Sequence, residues 1–254
     1  MCVWRASPPI EGMDGGVAAP EYSAQVTHMG PALARKLFSA NPERIGRFDG
    51  PPMDDAFPAS LVDGTPGDLK ADLIGLLGKE NVLHRAIDLV RYASDASPYR
   101  LVPKVVVLPR TNEDIIKLFR YCRETGRHAT FRAGGTSLNG QSQSDDILVD
   151  VRRHWYGAKV EDGGRRVRAR PGMILGHINS LLQRYGRRLG PDPASSHACT
   201  IGGVIANNAG GMRCTVQKDA YHTVAALTFV TPSGAVIDTS STDAERDFAR
   251  AEPQ

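Results

Sequence analysis

The chain has 254 residues, 41% of them hydrophobic and 23% charged, as in an ordinary globular protein with one sizeable core or two small lobes. A net charge of +3 with no dense Lys/Arg run argues against nucleic-acid binding, and no apolar run reaches the length of a membrane span. Residues 1–20 lack the basic and apolar regions of a secretory signal. The four cysteines, without C-x-x-C spacing, therefore read as free thiols of a reducing, cytoplasmic compartment.

Residues 1–64 carry eight of the chain's prolines and little hydrophobic periodicity, which predicts an irregular or disordered arm with at most a short helix over 31–38. A helical lead-in over 65–100 follows. Thr65-Pro66-Gly67-Asp68 has the form of a helix start, Leu69, Leu73, Leu76 and Leu77 share a face, and Gly78 can end it. A second amphipathic helix is expected from Val82 to Tyr92, and 95–99 reads as a turn.

The next segment, 101–155, reads as a first lobe. Val105 to Leu108 is a strand confined by Pro103 and Pro109. Thr111 to Asp114 outlines a capping box for a helix to Thr125, with Ile115, Ile116, Leu118, Phe119 and Cys122 inward and Gly126 closing it. Ala129 to Phe131 completes a right-handed βαβ unit, and Ile147 to Val151 adds a further strand. Between these last two lies Arg132-Ala133-Gly134-Gly135-Thr136-Ser137-Leu138-Asn139-Gly140-Gln141. Adjacent glycines permit positive φ and a close backbone approach, and successive N–H groups there can form an anion-binding nest.

Three readings compete for that loop. A Walker-type loop needs lysine where Gln141 stands, and it must open a helix where this chain predicts a strand. A Gly/Ser-rich hairpin turning at Asn139-Gly140 is the default for the loop taken alone. A flavin pyrophosphate loop is the third. A Rossmann dinucleotide site is excluded, since no two of the 26 glycines are separated by a single residue.

Residues 156–240 read as a second lobe. A strand over Arg166–Ala169 ends at Pro171-Gly172, and a helix runs from Met173 to Leu182. The proline-stiffened loop 189–199 suits a ligand wall. Thr200 can cap a short helix of small residues, suited either to close helix packing or to a flat ligand lying against its backbone. Val224 to Thr231 and Ala235 to Asp238 form a hairpin. His128 and His177 read as structural, His197 as a surface residue that with Cys199 makes no metal site, and Cys122 as core.

Six motifs in order (RAGGTSLNGQ at 132–141, PG at 171–172, PDPAS at 191–195, TIGG at 200–203, NNAGG at 207–211 and TPSGAVIDT at 231–239) resemble the FAD-binding (PCMH-type) domain of the vanillyl-alcohol oxidase and p-cresol methylhydroxylase superfamily. Within it they are most similar to flavin-linked D-lactate and D-2-hydroxyacid dehydrogenases, often fused to an iron–sulfur domain. The resemblance implies an α+β fold of two small lobes, a βαβ lobe and a mixed-sheet lobe, lacking the C-terminal cap, with 241–254 a truncated tail. It implies that Arg132, Ala133, Gly134, Gly135, Thr136 and Ser137 hold the pyrophosphate. Pro191, Asp192, Ser195, Thr200, Ile201, Gly202, Gly203, Asn207, Gly210 and Gly211 would wall the rest of the FAD. Thr136 stands where covalent members carry histidine, which implies noncovalent FAD. Hydride would pass from a small 2-hydroxy acid to the flavin and on to a non-oxygen acceptor, in an incomplete chain that relies on an iron–sulfur or C-terminal partner, cytoplasmic or peripheral at a membrane through that partner. The alternative is a noncatalytic FAD-binding remnant or a subunit of a split enzyme. No metal site and no catalytic residue are assigned.

Overall fold

The computed structural model describes residues 57–252 and, by backbone alone, the strand at 2–5; the short helix expected at 31–38 and most of the expected irregular arm lie outside the described residues. Two sheets with flanking helices form an α+β fold. The first sheet has the order β2 (Val82–Leu83), β3 (Val105–Val107), β5 (Ile147–Asp150), β4 (Ala129–Arg132). Strands β3 and β4 both run parallel to β5, which lies between them, and β2 closes one edge antiparallel.

All residues of β3 and β5 are buried, as expected of parallel strands covered on both faces. Helices α1 (Gly67–Leu77) and α3 (Asn112–Thr125) put Leu69, Leu73, Ile115 and Leu118 onto Val105, Val107, Ile147 and Val149. Helix α2 (Ala86–Tyr92) puts Leu89 onto Val106 and Leu148 on the opposite face, as the two-residue side-chain period requires. The capping box at Thr111 is formed in both directions, and Gly126 closes α3 in the left-handed region.

Three local expectations are corrected in this lobe. Val82 and Leu83 are extended rather than helical, because they pair with β3 before α2 begins at Ala86. Thr65 does not cap α1; its hydroxyl donates to the Lys104 carbonyl at 2.7 Å, and Pro66 precedes the helix without a side-chain cap. Leu76, half-buried, packs on the same core as Leu69, Leu73 and Leu77, as expected. The Asn139-Gly140 hairpin does not exist: β4 and β5 are parallel, so 133–146 crosses from the end of one to the start of the other without a helix.

The second sheet has the order β6 (Ala158–Glu161), β7 (Arg166–Ala169), β1 (Cys2–Arg5), β8 (Val224–Val230), β9 (Val236–Asp238). Every pair is antiparallel, which corrects the expected mixed sheet. Irregularity does not extend to residues 2–5 either, since β1 is hydrogen-bonded on both sides and completes the middle of the sheet. One face carries α4 (Leu175–Gln183), α5 (Ile201–Ala206) and α6 (Ala220–Thr223), with Leu175, Ile178, Leu182, Ile201 and Val204 packed on Val167 and Ala169. Arg166, Arg168 and Lys159 alternate to the other side, where Arg168 and Lys159 meet Glu161 at 3.3 and 3.9 Å. The expected tail folds in part as α7 (Ala244–Ala251): Phe248 lies 6.2 Å from Phe229, and the Glu252 carboxylate accepts from Ser233 N at 2.9 Å.

Candidate functional site

Between the carboxyl ends of β4 and β5 and the loops over the second sheet lies a cavity of about 940 Å³, at the upper end of the roughly 300–1,000 Å³ common for ligand sites. One wall is the Gly-rich loop, the other the segment from Pro193 through α5 to Ala209, with Thr228, Phe229 and Val230 of β8 at one side. Of the residues expected at the site, Ala133, Gly134, Gly135, Thr136, Ser137, Ser195, Thr200, Gly202, Gly203 and Asn207 line it.

The N–H groups of Gly134, Gly135, Thr136 and Ser137 donate to no acceptor among the described residues. Gly135 lies at φ +64°, a turn that a Cβ would strain. Thr200, 2% exposed in the opposite wall, has a hydroxyl with no hydrogen-bond partner. A buried hydroxyl and a run of unpaired amides are costly unless something polar meets them. The glycines of α5 divide by role. A Cβ on Gly202 would meet Pro171 Cβ at 2.9 Å, so packing requires that glycine. A Cβ on Gly203 would meet only Ala133 Cβ, at 3.8 Å, so its bareness leaves room in the cavity.

Six expected residues lie outside the wall. Arg132 is buried beneath the loop, its guanidinium donating to the carbonyls of Tyr92 and Ser94 at 2.9 and 2.5 Å and reaching up to Gly135. Burial and the neighbouring Arg152 push its pKa down from the ordinary value, yet a guanidinium stays charged. Pro191 is buried, and Ile201 is fully buried in the second core. Asp192 accepts from Arg213 N and Cys214 N, each at 3.1 Å. Gly211 is glycine because Asp192 leaves no space for a Cβ, and Gly210 beside it faces Cys214.

The wall also contains Ile115, Phe119, Phe131, Val151 and Trp155, an apolar end that helical periodicity assigned to core or left unassigned. Phe119 and Phe131 meet edge-to-face at 5.7 Å, and Trp155 Nε1 donates to the Pro109 carbonyl at 2.6 Å. Among the described residues no Asp, Glu, Lys, Arg or His lines the cavity. Cys199 does, and burial pushes its thiol up, away from the reactive thiolate. His177 bonds the Tyr156 hydroxyl and His222 the Asp219 carboxylate, each at 2.7 Å. Among the described residues no group of three or more His, Cys, Asp or Glu could hold a metal, and no helix is long and apolar enough to cross a membrane.

Behind the loop stands a cluster that the sequence signalled only as a turn. Asp95 accepts from Ser97 N, Ser97 Oγ and Gln143 Nε2 through Oδ1, and from Ser142 Oγ through Oδ2. Burial raises its pKa, but the hydrogen bonds from Ser97, Ser142 and Gln143 outweigh that and hold the carboxyl at about 2. Across the cavity, Gln141 Nε2 donates to Asn207 Oδ1 at 3.0 Å.

Residues 103–240 match the family model described as FAD binding domain. The chain is 30% identical over 158 residues to D-2-hydroxyglutarate dehydrogenase of Haemophilus influenzae, covering 61% of this chain and 15% of that protein. It is 29% identical over 163 residues to glycolate oxidase subunit GlcD of Escherichia coli, covering 63% of this chain and 33% of that one. The chain thus spans a third or less of the length of these relatives. Among solved structures, 6-hydroxy-D-nicotine oxidase from Arthrobacter nicotinovorans aligns with a TM-score of 0.54 at 22% identity, over 63% of this chain and 34% of that chain.

Proposed function

Because the chain belongs to the FAD binding domain family, we propose that its cavity holds FAD noncovalently and serves an oxidoreductase acting on small D-2-hydroxy acids. The observation that carries the cofactor reading is the pairing, across one cavity, of four unbonded loop amides with the buried, partnerless hydroxyl of Thr200. Gly134 to Ser137 would hold the pyrophosphate, each charge-assisted bond contributing roughly 1.5–3 kcal/mol. Thr200, Ser195 and Asn207 would meet polar edges of the cofactor, and Gly203 leaves space for it. Phe119, Phe131 and Trp155 would cover its apolar surface. Bound there, FAD would supply a two-electron acceptor for the α-hydrogen of a hydroxy acid.

Noncovalent attachment is supported by the wall itself. Thr136 offers no linking nitrogen, no histidine among the described residues lines the cavity, and Cys199 is held as a buried thiol. The hydroxy-acid class is supported by the substrates named for the D-2-hydroxyglutarate and glycolate relatives. A cytoplasmic setting suits Cys122, Cys199 and Cys214, which are all free and buried. The reading of a noncatalytic FAD-binding subunit is favoured by one observation: among the described residues, no acid, base or cation lines the cavity to take a hydroxyl proton or hold a carboxylate. An iron–sulfur or other partner polypeptide carrying those groups belongs to this proposal.

The test is titration of the chain with FAD, then anaerobic mixing with D-lactate or D-2-hydroxyglutarate. FAD should bind and leave the denatured protein completely, and Gly203→Leu, whose added Cβ meets only the Ala133 Cβ at 3.8 Å, should fill the space and abolish binding. Equal occupancy in Gly203→Leu overturns the cofactor placement. Flavin bleaching by either acid would show that this chain carries the proton acceptor, and would set aside the noncatalytic reading.

A further inference from the structure

The Gly-rich loop joins two parallel strands without a helix, so nothing in its own secondary structure fixes the direction of its amides. It is held instead from the turn at 92–99, forty residues earlier. Arg132, at the entry to the loop, donates to the carbonyls of Tyr92 and Ser94. Gly135, at its apex, has its carbonyl taken by Ala96 N at 3.0 Å. Gly140, near its exit, lies so close to the Tyr99 ring that an added Cβ would stand 2.8 Å from it. Ser142 and Gln143, at the exit, both end on Asp95, at 2.7 and 2.8 Å. Gln143 Nε2 also donates to Tyr99 O at 2.7 Å.

Asp95 is the centre of this arrangement. Its carboxylate receives two donors from the loop exit and two from its own turn, and the next residue, Ala96, holds the apex. It does not line the cavity. With three donors on Oδ1 and one on Oδ2, the carboxylate ties both side chains at the loop exit to the turn that grips the apex. The amides of Gly134 to Ser137 are thereby held free of internal partners.

We propose that Asp95 is a positioning residue for cofactor binding: it latches the Gly-rich loop in the form that receives a pyrophosphate. This rests on the FAD reading above.

The experiment measures dissociation constants of the wild-type chain, Asp95→Ala and Asp95→Asn for FAD, ADP and riboflavin, at a temperature where far-UV circular dichroism shows all three proteins folded. Asp95→Ala should weaken FAD and ADP at least 10-fold and leave riboflavin, which has no pyrophosphate, within about twofold. Asp95→Asn should recover most of the loss, since its Oδ1 still accepts and its amide can donate to the Ser142 hydroxyl. Should Asp95→Ala not fold, Ser97→Ala removes one partner of the carboxylate and should weaken FAD and ADP a few-fold in the same pattern. Unchanged FAD and ADP binding in the variants, or equal weakening of all three ligands, overturns the latch while leaving the FAD reading standing. Failure of the wild-type chain to bind either FAD or ADP overturns the FAD reading and the latch with it.

Discussion

The first sheet draws β2 to β5 from one continuous stretch of chain and buries both faces of its parallel strands. The second draws its middle strand from residues 2–5 and the rest from 158–238, and turns one face, studded with Arg166, Arg168 and Lys159, to solvent. Both lobes contribute a wall to the same cavity, so the ligand site joins a locally assembled half to one that depends on distant pairing. Damage to either lobe should therefore reach the cavity by a different route.

The largest effect is expected in the first lobe. Leu148 is fully buried in β5, between Leu61, Leu89 and Val106. Leu148→Ala should cost about 2–5 kcal/mol in denaturant unfolding. In the second lobe, Val3 pairs with Arg168 on one side and Ala226 on the other. Proline removes its donor and cannot sit in a central strand. Val3→Pro should cost about 2–3 kcal/mol, and hydrogen exchange should show β7 and β8 losing protection while β3 and β5 keep theirs. Equal loss in both sheets would mean that the lobes unfold as one unit.

A smaller effect tests local encoding. Thr111→Ala removes the hydroxyl that accepts from Asp114 N at 3.2 Å, and should cost about 1 kcal/mol. The smallest effect is acid sensitivity between about pH 4 and 2, and it should fall on the first lobe. Burial raises the Asp150 pKa, but its bonds from Arg152 and Tyr92 bring it below the ordinary value, and Asp95 is held at about 2. Folded values below unfolded ones give stabilisation that is complete above about pH 4 and is lost as pH falls through the folded values. Exchange protection in β5 should decline over that range before protection in β7 does.

The same contrast explains what could be read from the sequence. Helix α3 is legible to the residue because its cap, its stripe and its Gly126 stop lie within 16 positions and agree. Strand β1 is not, since four residues in a proline-rich region gain strand character only from partners more than 160 residues away. Thr65 had a capping signature, but the Lys104 carbonyl, invisible locally, took its hydroxyl. At the site, the glycines and Thr200 are readable because bare backbone and small hydroxyls leave a mark in sequence. Phe119 and Phe131 are not, since periodicity separates buried from exposed and cannot separate core from cavity wall. Asp95 was legible as a turn residue, while its partners Ser142 and Gln143 come from the far end of another loop.

The place of β1 has a consequence for synthesis. It leaves the ribosome well before β7 and β8, and at about 5–20 residues per second roughly 10–45 s pass before the last of its partners follows. Its backbone donors and acceptors on one edge await β7 and on the other, for longer, β8, while the first sheet, complete by Asp150, can already close. The nascent chain should thus present a finished first lobe beside an unpaired strand, a window in which wrong pairing between neighbouring chains competes with completion of the second sheet.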